Sequence, residues 1–184
     1  MPVRTSRADK IESLIVDLTH NGGDAHRRRV RESLVAIGGP AINPLVDALT
    51  NPNPHVRWDA VTALKEIGGP EVVPALVKAL AQDPDGGIRW LAAEGLINMR
   101  MEGLRPLLQT LAQDSSSGWL KEGARYVIRS LANKDPSLNG QMKAVLAALE
   151  DPKHATTPVS VAAQAVLDTL SGETVAEPAQ VPQG

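Results

Sequence analysis

The sequence repeats itself with a period of about 30 residues. Arg57-Trp58 returns 32 residues later as Arg89-Trp90, and the turn Gly38-Gly39-Pro40 returns 30 residues later as Gly68-Gly69-Pro70. Apolar residues between such turns recur at helical three- and four-residue spacing. A helical repeat of this length predicts a stacked array, in which each unit buries its apolar face against its neighbours. The expected fold class is therefore all-α, an α-solenoid.

The composition favours closely packed helices and excludes several kinds of site. Hydrophobic residues make up 42% of the 184 residues, aromatic residues make up 2%, and phenylalanine is absent. A core of small aliphatic side chains suits helices better than a β-sandwich. The formal net charge of -2 does not favour nucleic acid or an anionic membrane. Because cysteine is absent, disulfides, thiolate metal sites and a cysteine nucleophile are excluded.

No segment of the sequence is suited to a membrane. The amino terminus lacks the apolar centre of a signal peptide. No apolar run approaches the roughly 18 residues that a membrane span requires. We therefore expect a soluble cytoplasmic protein.

Clusters of glycine and proline divide the chain into ten predicted helices, which form five pairs. The first helices of the pairs are predicted at 8–20, 41–50, 71–82, 103–113 and 138–150. The second helices are predicted at 25–37, 55–67, 87–100, 118–133 and 158–170. Residues 1–170 then form one domain, with repeats at about 8–37, 41–67, 71–100, 103–133 and 138–170. Residues 171–184 lack an apolar face and are expected to be a disordered tail.

The second helices share one pattern of core residues. In each row a large apolar residue is followed by alanine and then by two more large apolar residues. The small alanine lets neighbouring helices approach closely, and the large residues fill the space on either side. The four rows are Val56, Ala60, Leu64 and Ile67; Ile88, Ala92, Leu96 and Met99; Leu120, Ala124, Ile128 and Leu131; and Val159, Ala163, Leu167 and Leu170.

Two segments, "NPHVRWDAVTALKEIGGPEVVPALVKAL" and "DPDGGIRWLAAEGL", resemble HEAT repeats of the short type named after phycobilisome lyases. The resemblance covers about 8–170 and is strongest in the middle three repeats. The fourth repeat departs from the pattern, with Lys121 in place of arginine and Asn-Lys-Asp in place of the Gly-Gly turn. The resemblance implies a right-handed superhelix whose second helices line the concave side. It says little about activity.

Helical geometry then predicts which side chains face a partner. At 100° per residue, positions opposite the core rows form a stripe across the second helices. Three of the four aromatic residues of the chain fall on this stripe, namely Trp58, Trp90 and Tyr126. Exposed aromatics flanked by charges are typical of a binding hot spot. Packing between repeats is the alternative. The predicted partner-binding residues are Arg28, Glu32, Trp58, Thr62, Lys65, Trp90, Glu94, Ile97, Glu122, Tyr126 and Arg129.

Arg57 and Arg89 are predicted to have a structural role. Each begins a helix, where an arginine opposes the helix dipole unless a carboxylate compensates. Asp83, Asp85 and Asp114 lie in the neighbouring turns. We expect a ladder of Asp–Arg pairs that joins successive repeats, with a functional anion site as the alternative.

The basic run from His26 to Arg31 is interpreted as a solvated helix face. Its arginines spread around the helix, and Glu32 partly neutralises them. Contact with phosphates is the alternative.

No catalytic constellation is evident in the sequence. His20, His26, His55 and His154 lack metal-ligand spacing with another histidine or a carboxylate. There is no phosphate loop, dinucleotide fingerprint or nucleophile elbow. We therefore expect no metal and no cofactor, and the sequence favours a protein without enzyme activity.

Several functions remain open. The leading hypothesis is a non-catalytic adaptor whose concave face binds a protein or peptide. The resemblance implies a bilin lyase or related phycobilisome factor as the second, with aromatics stacking on a linear tetrapyrrole and arginines pairing its propionates. The third is a HEAT-like alkylpurine DNA glycosylase, which the net charge disfavours. A designed array is the fourth, and the irregular fourth repeat argues against it.

Overall fold

The computed structural model describes residues 6–19 and 23–172, and all of its regular elements are helices. The ten α-helices of this part of the chain are α1 (Arg7–Thr19), α2 (Asp24–Ile37), α3 (Ile42–Ala48), α4 (Pro54–Ile67), α5 (Val73–Gln82), α6 (Gly86–Asn98), α7 (Met101–Gln113), α8 (Gly118–Lys134), α9 (Ser137–Glu150) and α10 (Val159–Ser171). Short 3-10 helices at Gly39–Ala41 and Pro70–Val72 lead into α3 and α5. The predicted all-α solenoid is confirmed.

Glycine residues end the helices at the repeated Gly-Gly-Pro turns. Gly38 has a φ of 72° and Gly68 a φ of 69°, and their backbone N–H groups donate to the carbonyls of Leu34 and Leu64. Only glycine adopts such angles without steric cost. The corresponding turn after α6 uses Arg100 at a φ of 51°, the one positive φ of a non-glycine residue in the described chain. Such strain costs about 1–3 kcal/mol.

The second helices stack in the predicted order through the first four pairs. α2 packs against α4, α4 against α6, and α6 against α8. The leading core residues of each predicted row, such as Val56, Ile88 and Leu120, are buried. Ile67, Met99 and Leu170, which end three of the rows, are partly buried against the same core. One continuous hydrophobic core therefore runs along the array.

The last pair packs in the opposite order from the expected one. α9 packs against α8, and α10 packs mainly against α7, so α9 rather than α10 extends the row of second helices. The Arg105 guanidinium of α7 donates to the carbonyl of Leu170 in α10 at 2.8 Å. The connection at 151–158 is long enough to bring α10 to the layer of first helices, where Val166 and Leu167 are buried.

The described residues include no helix that is both long enough and apolar enough to span a membrane. The predicted tail lies outside the described residues from position 173 onward.

Candidate partner-binding site

The Arg-Trp pair occurs at two successive junctions between second helices. The first junction lies between α4 and α6, and the second lies between α6 and α8. Arg57-Trp58 belongs to α4 and Arg89-Trp90 to α6. The contacts of the two pairs differ, and that difference defines the candidate site.

A buried ion pair joins α4 to the connection that precedes α6. The Nε of Arg57 lies 2.9 Å from Oδ2 of Asp83, and its Nη2 lies 3.2 Å from Oδ1. Arg57 is 9% exposed and Asp83 is 7% exposed. Nη1 of Arg57 also donates to the carbonyls of Asn51 and Pro52. The hydrogen bond to Asp83 is the main cause that raises the pKa of Arg57, and the predicted Arg57–Asp83 rung is present.

Trp58 packs on the backbone of the next helix at this junction. A Cβ atom added to Gly87, at the start of α6, would lie 2.6 Å from Cζ3 of Trp58. The indole ring therefore occupies the space that a side chain at position 87 would fill. Part of the ring is still exposed, so Trp58 packs between repeats and also contributes to the surface.

Arg89 repeats the backbone contacts of Arg57 but has a different side-chain neighbour at the second junction. Its Nη1 donates to the carbonyls of Asp83 and Pro84, at 2.8 and 3.0 Å. Its guanidinium carbon lies 4.4 Å from the ring centroid of Trp119, a cation–π contact. Asp114 instead accepts from the backbone N–H of Ser116, and no ion pair joins Arg89 to Asp114 in the described chain. The predicted Asp114 rung is therefore absent.

One additional residue in the connection explains the change. Asp83 precedes the core residue Ile88 by five positions, whereas Asp114 precedes the equivalent Leu120 by six. The second connection therefore positions its carboxylate differently, and α8 begins with an exposed indole at position 119.

The second junction contains a pocket of about 470 Å³, within the size range of ligand sites. We call it the aromatic pocket. Trp90, Trp119 and Tyr126 line it with 50%, 43% and 44% of their surfaces exposed. The charged residues that line it are Arg89, Glu122, Arg125 and Arg129.

Cations outnumber carboxylates in the aromatic pocket. Of its three arginines, Arg129 pairs with Glu150 of α9. Arg125 has no hydrogen-bond or ion-pair partner among the described residues. Aromatic faces beside guanidinium groups favour a ligand that combines an apolar or planar part with an anionic group.

A second concave site lies between α2 and α4, and we call it the arginine pocket. It also has a volume of about 470 Å³. Asp24, Arg27, Arg28, Arg31, His55, Trp58 and Asp59 line it. Asp59 is buried, with Oδ1 at 2.7 Å from Nη1 of Arg31 and Oδ2 at 3.3 Å from Nε of Arg27. Part of the basic run is therefore anchored on α4 and is not a purely solvated face.

The other predicted partner-binding residues have varied surroundings. Lys65 and Glu94 form an ion pair across the first junction, with Nζ at 3.1 Å from Oε2. The Thr62 hydroxyl donates to the carbonyl of Trp58 at 2.8 Å. Glu32 is exposed and lines neither pocket.

Ile97 requires a correction, because it is 7% exposed and belongs to the core. α6 packs against α4, α5, α7 and α8, so more of its circumference is buried than the stripe model assumes.

Sequence reasoning missed Trp119, Arg125 and the pocket-lining role of Arg89. Trp119 lies three residues before Glu122, one helical turn earlier on the same face. Extending the stripe by one turn would have included it. Asp59 was also missed, although a carboxylate next to the core residue Ala60 indicates a buried partner.

The described residues contain no group of three or more histidine, cysteine or carboxylate side chains that could hold a metal ion.

Comparison with known proteins identifies the fold. A chain in the solved complex of CpcE and CpcF of phycocyanin lyase from Nostoc sp. PCC7120 is similar to this chain, with a TM-score of 0.53 and 20% identity. The similarity covers 86% of this chain and 98% of that chain. At this identity the similarity establishes the fold. No curated protein has significant sequence similarity to the chain.

A family model described as HEAT repeats matches residues 11–97 and 42–129. The two overlapping matches together extend from 11 to 129, which is more than half of the chain. The expected HEAT resemblance is thus confirmed, and this chain belongs to the HEAT-repeat family.

Proposed function

We propose that the protein is a non-catalytic adaptor that binds a partner protein on the exposed surface of α2, α4, α6 and α8. We call this surface the second-helix face. The aromatic pocket is the centre of the proposed site. The observation that carries the proposal is the convergence of Trp90, Trp119 and Tyr126, all half-exposed, on one pocket in a chain with four aromatic residues.

Energetic arguments support a binding role for these side chains. Large aromatic groups and arginines provide most of the binding energy at protein interfaces. Leaving two indoles and a phenol half-exposed forfeits the stability that their burial would give. At the first junction Trp58 covers Gly87, so packing accounts for part of its contact area. At the second junction Trp119 stands in the place of Gly87, so no glycine there takes up the ring of Trp90.

The experiment is capture of partners from native lysate with three immobilised proteins. These are the wild type, the double variant Trp90→Ala/Trp119→Ala, and the control Val161→Ala. Val161 is an exposed apolar residue on α10 and does not line the aromatic pocket. A protein retained by the wild type and the control, and lost with the double variant, would support the proposal. Equal retention by all three would contradict it.

Binding of a linear tetrapyrrole is the second candidate function. The neighbouring structure is a phycocyanin lyase complex, and the aromatic pocket combines aromatic faces with Arg89 and Arg125. Titration with biliverdin would test it. A red shift of the bilin absorbance that is lost in Arg125→Gln protein would support this function, whereas an unchanged spectrum would eliminate it. For either function we propose a cytoplasmic location, which cell fractionation would test.

A further inference from the structure

The aromatic pocket and the arginine pocket lie on the same side of the stack of second helices. Gly86 lines the aromatic pocket, and its neighbour Gly87 contacts the ring of Trp58. Trp58 in turn lines the arginine pocket. The indole therefore connects the two pockets across the first junction, so a single ligand that follows the second-helix face reaches both.

The charges of the two pockets indicate the chemistry of that ligand. Each pocket is lined by three arginines. In the arginine pocket Asp24 and Asp59 pair with Arg27 and Arg31, and in the aromatic pocket Arg129 pairs with Glu150. Arg28 and Arg125 remain without a partner among the described residues. Guanidinium groups with unused donors pair well with carboxylates. The tryptophans beside them provide apolar contact area.

The charge between the pockets argues for separate acidic groups rather than a continuous anion. On α4 and α6, the two inner helices of this face, Lys65 is paired with Glu94. Glu122 lines the aromatic pocket. A phosphate backbone carries a charge at every nucleotide, so it would place phosphates against these carboxylates. A polypeptide with two acidic clusters would not.

The helix spacing sets the distance between the clusters. Packed helices lie about 8–10 Å apart, and two helix steps separate the centre of one pocket from the centre of the other, which gives about 20 Å. An extended polypeptide advances about 3.3 Å per residue, so about six residues span this distance.

We infer that the partner presents an extended acidic segment, with two clusters of carboxylate and apolar side chains about six residues apart. One cluster binds in the aromatic pocket and the other in the arginine pocket. This inference rests on the proposed function, because it names the part of the partner that the adaptor recognises. Linkage of two weak sites raises the overall affinity through effective concentration.

Fluorescein-labelled synthetic peptides test the inference by polarisation. One peptide carries two Asp-Leu-Glu clusters six residues apart in a serine-threonine background, a second has the clusters adjacent, and a third has one cluster. We expect the first peptide to bind at least tenfold more tightly than the third. Arg28→Gln and Arg125→Gln should each reduce its affinity to that of the third, whereas Arg29→Gln, an exposed neighbour outside the pockets, should not.

Three results would overturn the inference. The first is equal binding of the three peptides. The second is an Arg28→Gln protein that binds the first peptide as tightly as the wild type does. The third is a twelve-nucleotide oligothymidylate that binds the wild type more tightly than the first peptide does. The proposed function fails separately, because it requires loss of the captured protein in Trp90→Ala/Trp119→Ala. A captured protein that is lost with that double variant but retained by Arg28→Gln would preserve the adaptor and eliminate the two-pocket segment.

Discussion

The first and second junctions use the same Arg-Trp pair for different purposes. At the first, Arg57 is buried against Asp83 and Trp58 lies on the backbone of Gly87. At the second, Arg89 lies over the ring of Trp119. Trp58 therefore fills the space at the start of α6, whereas the start of α8 borders a pocket of about 470 Å³.

The difference comes from the repeat that follows each pair, not from the pair itself. Glycine at position 87 leaves room for an indole, whereas position 119 supplies an indole of its own. The aspartate that would bind the arginine is displaced by one extra residue in the second connection. A repeated motif thus stabilises one junction and lines a candidate binding site at the next.

The largest expected effect concerns the ion pair of the first junction. Asp83→Ala leaves the Arg57 guanidinium buried without its carboxylate, which costs about 3–5 kcal/mol of unfolding free energy. Asp114→Ala, at the second junction, removes an exposed turn acceptor and should cost under about 1 kcal/mol. Urea unfolding followed by circular dichroism measures both. Equal losses in the two variants would contradict the distinction between the junctions.

The next largest effect concerns crowding at the starts of α6 and α8. In Gly87→Ala the new methyl group meets Trp58, so we expect a loss of about 1–3 kcal/mol from overpacking. A methyl group at Gly118, the equivalent of Gly86 in the following repeat, meets no atom within 4 Å. Gly118→Ala should therefore be neutral or slightly stabilising. Thermal unfolding compares the two, and destabilisation by Gly118→Ala would show that the start of α8 is as crowded as that of α6.

Loss of the cation–π contact should have a smaller effect. Arg89→Gln removes the charge over Trp119 and the hydrogen bonds to the carbonyls of Asp83 and Pro84, and should lower the unfolding free energy by about 1–2 kcal/mol. The corresponding Arg57→Gln change should cost several times more, because it leaves Asp83 buried and unpaired. The ratio of the two losses in urea unfolding is the readout. A ratio near one would mean that Arg89 contributes as much to the unfolding free energy as Arg57.

The smallest expected effect is a pH dependence of the second connection. Hydrogen bonds from Ser116 hold the pKa of Asp114 below its ordinary value of 3.8. The stabilisation that follows is present above pH 3.8 and is lost as the pH falls through the lower, folded-state pKa. Asp114→Asn should therefore lose slightly less stability than the wild type between pH 5 and pH 2. Identical acid profiles would contradict this assignment.

Local patterns in the sequence were sufficient to predict the helices and most of the core. The Gly-Gly-Pro turns and the alanine of each row, such as Ala60 and Ala92, report directly on chain breaks and close packing. The order of the last pair was not predictable in this way. It depends on how the connection at 151–158 crosses between layers, which the apolar pattern of α10 does not specify.

The candidate site was only partly predictable, because a repeat model assumes equivalent neighbours. Trp90 and Tyr126 line the aromatic pocket as the stripe suggests. Ile97 does not, because α6 has neighbours on four sides. Arg89 was assigned to the ladder by analogy with Arg57, although one extra residue in the next connection changes its neighbours.

The affinity of the captured partner for wild-type and Trp119→Ala protein tests the central claim most directly. Isothermal titration calorimetry should give at least tenfold weaker binding to the variant, because a central indole is removed. Its unfolding free energy should fall by only about 1 kcal/mol, because Trp119 is half-exposed and loses mainly its cation–π contact with Arg89. Unchanged affinity in a folded Trp119→Ala protein would contradict the assignment of the second junction as the binding site.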